Sequence, residues 1–159
     1  MKALVQRVTH ARCTVGGQVT GEIGAGLLVL VGATHADRDA DADWLARKIA
    51  GLRIFADAEG RMNRDVREAG GGVLAVPQFT LYAQAQRGRR PDFMQAAPPE
   101  QAEPLYERFC ATLHGEGVTV ARGRFRTHMA VELVNDGPVT LMLDSPGDAV
   151  RAAPPGVSA

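Results

Sequence analysis

Cysteine is nearly absent from this 159-residue chain: Cys13 and Cys110 stand far apart, with no Cys-x-x-Cys pair. A disulfide framework or a zinc ribbon is therefore not expected, and a reducing cytosol is the natural setting. Aromatic residues make up only 5% of the chain, few for a surface that stacks single-stranded bases. An excess of one charge is missing too. Lys+Arg and Asp+Glu both number 18, which excludes a uniformly basic coat for nucleic acid and leaves room only for a local patch. No apolar run approaches the roughly 20 residues that a membrane-spanning helix needs. Lys2 and Arg7 interrupt what would have to be the apolar stretch of a signal peptide. There is no Gly-x-Ser-x-Gly elbow, no His-Glu-x-x-His helix, no P-loop and no Gly-x-Gly-x-x-Gly turn after a strand. His10, His35, His114 and His128 lack i,i+3 or i,i+4 spacing, so they read as surface or loop residues and no metal is expected.

What is present suits one globular domain with a single core, 45% of its residues being hydrophobic. Ala3–Val8, Gly26–Gly32 and Val73–Val76 read as strands, apolar and bounded by Gly or Pro, the second apolar throughout and so buried on both faces. The third is expected to continue past Pro77 as Gln78–Tyr82, with the proline marking an edge, bulge or bend. Trp44, Leu45, Lys48, Ile49 and Leu52 recur at helical spacing behind an acidic segment that favours the positive end of a helix dipole. Leu105, Phe109, Cys110 and Leu113 mark a second helix, with its regular part starting near Pro104 and Gly115 as its stop. Val118–Val120, Met129–Val134 and Val139–Leu143 return to strands, which gives a mixed α/β fold. Residues 1–145 form the expected domain. Residues 146–159, rich in Pro, Gly and Ala, are expected to stay unfolded.

Two segments and two basic clusters stand out. Val76-Pro77-Gln78-Phe79-Thr80-Leu81 reads most simply as a kinked strand, and Asn135-Asp136-Gly137-Pro138-Val139-Thr140 as a tight turn between two strands. Gly-Pro has one further capability, because an X–Pro bond can be cis and so aim its carbonyls where an ordinary loop does not. Arg87, Arg89 and Arg90, and later Arg122, Arg124 and Arg126, read either as solvated loops or as a rim that contacts phosphate through arginine forks. Cys110, on the apolar face of its helix, reads as a small hydrophobe.

Taken in order, Gln6-Arg7-Val8, Met62-Asn63-Arg64-Asp65, the Gly70-Gly71-Gly72 bend into Gln78-Phe79-Thr80-Leu81, Gly88-Arg89-Arg90-Pro91-Asp92-Phe93, Gly123-Arg124-Phe125 and Asn135–Thr140 resemble the D-aminoacyl-tRNA deacylase family over roughly Met1 to Ser145. The resemblance implies a barrel-like α/β domain of mixed β-sheets with two main helices. It implies a cytoplasmic homodimer, with active sites at the subunit interface, that needs no metal or cofactor. The implied activity is hydrolysis of the ester joining a D-amino acid, or glycine, to the 3′ acceptor end of tRNA. By similarity, Gln78, Phe79 and Thr80 line the catalytic pocket, and a cis Gly137-Pro138 from the other subunit serves as the chirality filter. Arg7 holds that Gly-Pro unit, and Phe93, Phe125 and Met129 wall in the terminal adenosine. Pro77 stands where the family usually has serine, which speaks against a serine nucleophile. A related branch that tolerates L-alanine also has proline there, followed by Gln-Ala-Thr-Leu, whereas Phe79 and Arg7 are of the D-specific kind.

The chemistry expected is modest, since an aminoacyl ester is already activated. Backbone N–H groups around Phe79 and Thr80 are expected to stabilise the oxyanion, with the Thr80 hydroxyl assisting and the ribose 2′-OH sharing the proton transfer; one such donor is typically worth ~3–4 kcal/mol. Two other classes of function stay open at this point: a noncatalytic module for RNA 3′ ends, and a small-molecule esterase with a Ser, Thr or Cys nucleophile.

Overall fold

Strand β1, Lys2–Val15, is long enough to serve two neighbourhoods at once. Its first half pairs antiparallel with β3, Gly26–Gly32, and its second half with β2, Gln18–Ile23. The computed structural model describes residues 1–86 and 88–147, so Arg87 and most of the expected tail, from residue 148 on, lie outside the described residues. Beyond β3 the order continues with β6, Gly72–Pro77, and β7, Thr119–Arg122, both parallel to their neighbours. Parallel neighbours require crossovers, and the two helices provide them: α1, Asp39–Ala50, between β3 and β6, and α2, Pro99–Gly115, between β6 and β7. A small hairpin, β4 (Phe55–Ala56) with β5 (Met62–Arg64), follows α1. The last strand, β8, Ala130–Asp144, pairs with β1 along the edge that β2 and β3 leave open.

The two faces of this sheet are covered differently. Leu27, Val29, Val73 and Ala75 face the helices and pack with Leu45, Ile49, Phe109 and Leu113. Val8, Cys13, Leu28, Leu74 and Val76 face inward and pack with Met129, Val131 and Leu133. The inner face closes because β2 nearly meets β7: a Cβ placed on Gly21 would sit 2.6 Å from the Arg122 carbonyl oxygen, so only glycine fits there. The result is a mixed α/β domain with a nearly closed, barrel-like sheet and two main helices, as expected. No helix among the described residues is long and apolar enough to cross a membrane.

Several expectations about elements are corrected. Gln78–Tyr82 does not continue the strand. Pro77 has no N–H to extend the ladder, and Phe79–Tyr82 winds into a 3-10 turn, with Leu81 N–H reaching the Gln78 carbonyl at 3.3 Å. Helix α2 runs through Pro104 rather than starting near it; Pro99 occupies the first turn, where a missing donor costs nothing, and the helix absorbs one lost bond at Pro104. Asn135–Val139 is not a turn between two strands either. Both halves of β8 pair with β1 in the same antiparallel sense, Gln6 with Thr140 and Val8 with Asn135, so residues 136–139 bulge out opposite Arg7.

Candidate active site

In a sheet with parallel strands, ligands collect at the carboxyl ends of those strands, and a well-formed cavity lies there. It measures about 640 Å3, and its floor is Val31, Gly32 and Ala33 at the end of β3 with Val76 and Pro77 at the end of β6. A volume of this order suits a small organic group. Phe79, Phe93, Phe125 and Met129 all line it, although they come from two different connections, β6 to α2 and β7 to β8. Phe79 and Phe93 meet edge to face, with ring centroids 5.1 Å apart, and Phe79 keeps 55% of its surface exposed at the cavity mouth.

The polar corner of the cavity is the start of the 3-10 turn. Gln78, whose N–H donates to the Val31 carbonyl at 2.7 Å, turns its side-chain amide onto the Thr80 hydroxyl. Gln78 and Phe79 line the cavity while Thr80 sits behind them, joined through that hydrogen bond. The N–H groups of Phe79 and Thr80 open the turn, where 3-10 geometry supplies no acceptor within the helix. A pair of free donors beside an apolar cavity is suited to an oxygen that gains negative charge.

Sequence reasoning missed other lining residues, among them Tyr106 and His128. Tyr106 lies in the same helical pattern as Leu105 and Phe109, yet its hydroxyl donates to the Ala75 carbonyl at 3.0 Å, which anchors α2 beneath the cavity; burial pushes its pKa well above the ordinary tyrosine value. His128, read from the sequence as a loop residue, is exposed at the cavity wall. Cys110 is fully buried in the helix-side core, and burial pushes its thiol up to about 11, so it packs and does not attack.

Arg7, Gly137 and Pro138 are not brought to this cavity within the chain. Arg7 pairs with Leu27 at the far end of β3 from Val31, four residues and about 13 Å along the strand. There its guanidinium lies against Gly137, with Nε 3.0 Å from Asp136 Oδ2 and Nη1 donating to the Ile54 carbonyl. Asn135 closes the base of the bulge, its side-chain N–H groups donating to the Arg7 carbonyl at 2.8 Å and the Val139 carbonyl at 3.0 Å. The expected cis Gly137–Pro138 bond is corrected: no peptide bond among the described residues is cis. The chain turns here instead through Gly137, whose φ of +108° only glycine adopts readily and whose missing Cβ leaves room for Arg7.

The family model described as D-Tyr-tRNA(Tyr) deacylase matches residues 4–144. A D-aminoacyl-tRNA deacylase of Symbiobacterium thermophilum is 61% identical over 145 residues, 91% of this chain and 96% of that one. Another, of Heliobacterium modesticaldum, is 56% identical and covers 92% of this chain and 98% of its own. Among solved structures, one described as c-Myc DNA Unwinding Element Binding Protein has a TM-score of 0.85 at 40% identity, covering 92% of this chain and 100% of that one. A probable eukaryotic D-amino acid tRNA deacylase shares the fold, with a TM-score of 0.77 at 19% identity, over 90% of this chain and 98% of that one.

Proposed function

The chain belongs to the D-Tyr-tRNA(Tyr) deacylase family, and on that premise we propose that it hydrolyses the ester of D-aminoacyl-tRNA, and of glycyl-tRNA, in the cytoplasm, releasing the amino acid and the tRNA. The observation that carries this reading is the cavity itself: Phe79, Phe93, Phe125 and Met129 form an apolar enclosure with one polar corner at Gln78–Thr80. The terminal adenosine occupies the aromatic part, and the ester carbonyl points at the N–H groups of Phe79 and Thr80. Water attacks the carbonyl carbon, and those donors hold the oxyanion as the tetrahedral intermediate forms. The ribose 2′-OH passes the proton from the water to the departing 3′-oxygen, while the Thr80 hydroxyl accepts from the Gln78 amide and fixes that corner of the cavity. No nucleophilic side chain is required.

Stereochemical selection is assigned to the main chain of Gly137–Pro138 in a second subunit. Two features support this: the bulge lies at the other end of β3 from its own cavity, and β8 pairs only with β1 among the described residues, which leaves its other edge open. Carbonyls of the bulge accept the substrate ammonium, so a D side chain points to open space and an L side chain meets backbone. A wall of backbone is hard to soften by side-chain motion.

Deacylation of paired D- and L-aminoacyl-tRNAs tests the reading. D-Tyr-tRNA and Gly-tRNA are cleaved, and the L esters persist. Equal rates on the two enantiomers would remove the filter, retention of tRNA without turnover would make the protein a binding module, and covalent trapping by a phosphonylating probe would make it an ordinary esterase.

A further inference from the structure

Arginines elsewhere in the described residues are engaged: Arg12 with Glu22, Arg67 with Asp65, Arg108 with Asp39 and Asp43, and Arg122 with Glu107 at 2.5 Å. The pairing of Arg122 removes it from the basic cluster that the sequence suggested. Arg89, Arg90, Arg124 and Arg126 are different. All four are exposed, none has a carboxylate of the described residues within ion-pair distance, and they sit on the two loops that carry Phe93 and Phe125 to the cavity. Arg126 itself lines the cavity, and Arg124 lies on the other side of Phe125, in a polar groove.

Arg126 has a second peculiarity. Its φ is +58°, and it is the one non-glycine residue with positive φ among the described residues. An L side chain in that region is strained, and such strain concentrates where a side chain is used. The turn is held by its neighbours, since the Thr127 hydroxyl donates to the Arg124 carbonyl at 2.9 Å, so the fold does not need arginine at this point.

We infer that Arg124 and Arg126, together with Arg89 and Arg90 on the Phe93 loop, form a phosphate clamp that holds the backbone of the RNA strand just before its terminal nucleoside. The proposal rests on the deacylase reading and adds to it the residues that tell a polynucleotide ester from a nucleoside ester. Charge also sets the path of the strand. Glu103 of α2 lies in the groove without a cation among the described residues, and Glu100 lies in the first turn of the same helix, so a polyanion is repelled from the α2 wall and drawn over Arg126 toward the Phe93 loop. Arginine forks match phosphate oxygens in pairs.

The test compares D-tyrosyl-tRNA with D-tyrosyl-adenosine, which carries no phosphate, for wild type, Arg126→Gly, and the fourfold variant Arg89→Gln/Arg90→Gln/Arg124→Gln/Arg126→Gly. The ratio of kcat/KM for the tRNA ester to that for the adenosine ester falls about 10-fold in Arg126→Gly and ~10²–10³-fold in the fourfold variant. Arg126→Gly melts at the same temperature as wild type or higher, because glycine relieves the positive φ. The slope of log K against log salt for uncharged tRNA becomes shallower by about 0.7 for each phosphate that no longer meets an arginine. An unchanged ratio, or a slope that does not move, overturns the clamp. Failure of the wild type to cleave either ester sinks the deacylase reading instead, and the salt slope still decides the arginines.

Discussion

The cavity end of the sheet and the bulge on β8 carry the two signature segments of this chain, and they are built in opposite ways. At the cavity, a strand stops at Pro77 and the backbone leaves the sheet with free N–H groups, an exposed phenylalanine and unpaired arginines around it. At the bulge, the chain stays in the sheet and most of its polar groups are tied to one another. Arg7 engages Asp136 and Ile54, and Asn135 bridges two carbonyls. One region is left open for a ligand, while the other is braced as a rigid object. A site that needs both cannot be completed by one subunit, since they lie at opposite ends of β3.

The sharpest way to break this division is at Thr80. Thr80→Ala removes the hydroxyl that holds the Gln78 amide and, by loosening that corner, lowers the single-turnover rate on D-aminoacyl-tRNA by ~10²-fold, with the ratio of D to L rates retained. His128→Ala costs far less. A loss of enantiomer discrimination in Thr80→Ala would show that the two regions are not separable.

Mixing subunits gives the next largest effect. Gly137→Ala places a methyl group against the Arg7 guanidinium at a strained φ, which displaces the filter and impairs its own dimer. Co-expressed with Thr80→Ala at equal levels, it forms hybrid dimers in half of the population, each with one site built from two intact halves. Activity then returns to about a quarter of wild type if the oligomer is a closed pair. Hybrids as inactive as the parents would place both segments in one subunit's site.

Much of this was legible in the sequence because the signals were local. Gly26–Gly32 is apolar in every interior position and is buried on both faces, and the second helix stops at Gly115 as its pattern suggested. What escaped depended on pairing. A Pro-interrupted run such as Val73–Tyr82 carries the same residues whether it continues as a strand or winds into a turn; only the end of β3 alongside decides. Asn-Asp-Gly-Pro likewise spells a hairpin turn locally, and becomes a bulge because β1 is long enough to hold both halves of β8. Of the site residues, Gln78, Phe79, Phe93, Phe125 and Met129 share one cavity and Thr80 reaches it only through Gln78, whereas Tyr106 lay hidden in a core-helix pattern.

A smaller effect, on stability, separates bracing from catalysis. Asn135→Ala leaves the Arg7 and Val139 carbonyls without their bridge. The base of the bulge is only partly buried, so water takes over some of the bonding, and the cost is about 1–3 kcal/mol. Chemical denaturation shows this as a lower midpoint with an unchanged slope. The hydrolytic centre at the cavity is untouched, so the loss in rate on D esters stays small beside that of Thr80→Ala. A variant as stable as wild type would mean that the bulge is held by Arg7 alone.

The smallest effect is the one expected at Cys110. Its thiol, fully buried among helix-side residues, is pushed by burial up to about 11, so at pH 8 almost none of it is thiolate. Iodoacetamide then reacts only as fast as the core opens, and activity on D-aminoacyl-tRNA persists throughout the exposure. Both outcomes follow from the position of Cys110 behind the cavity floor, on the helix face of the sheet, where no substrate atom reaches. Rapid alkylation of the folded protein at that residue, with loss of turnover in step, would join the helix-side core to the reaction and erase the line drawn between the open end of the sheet and the structure that supports it.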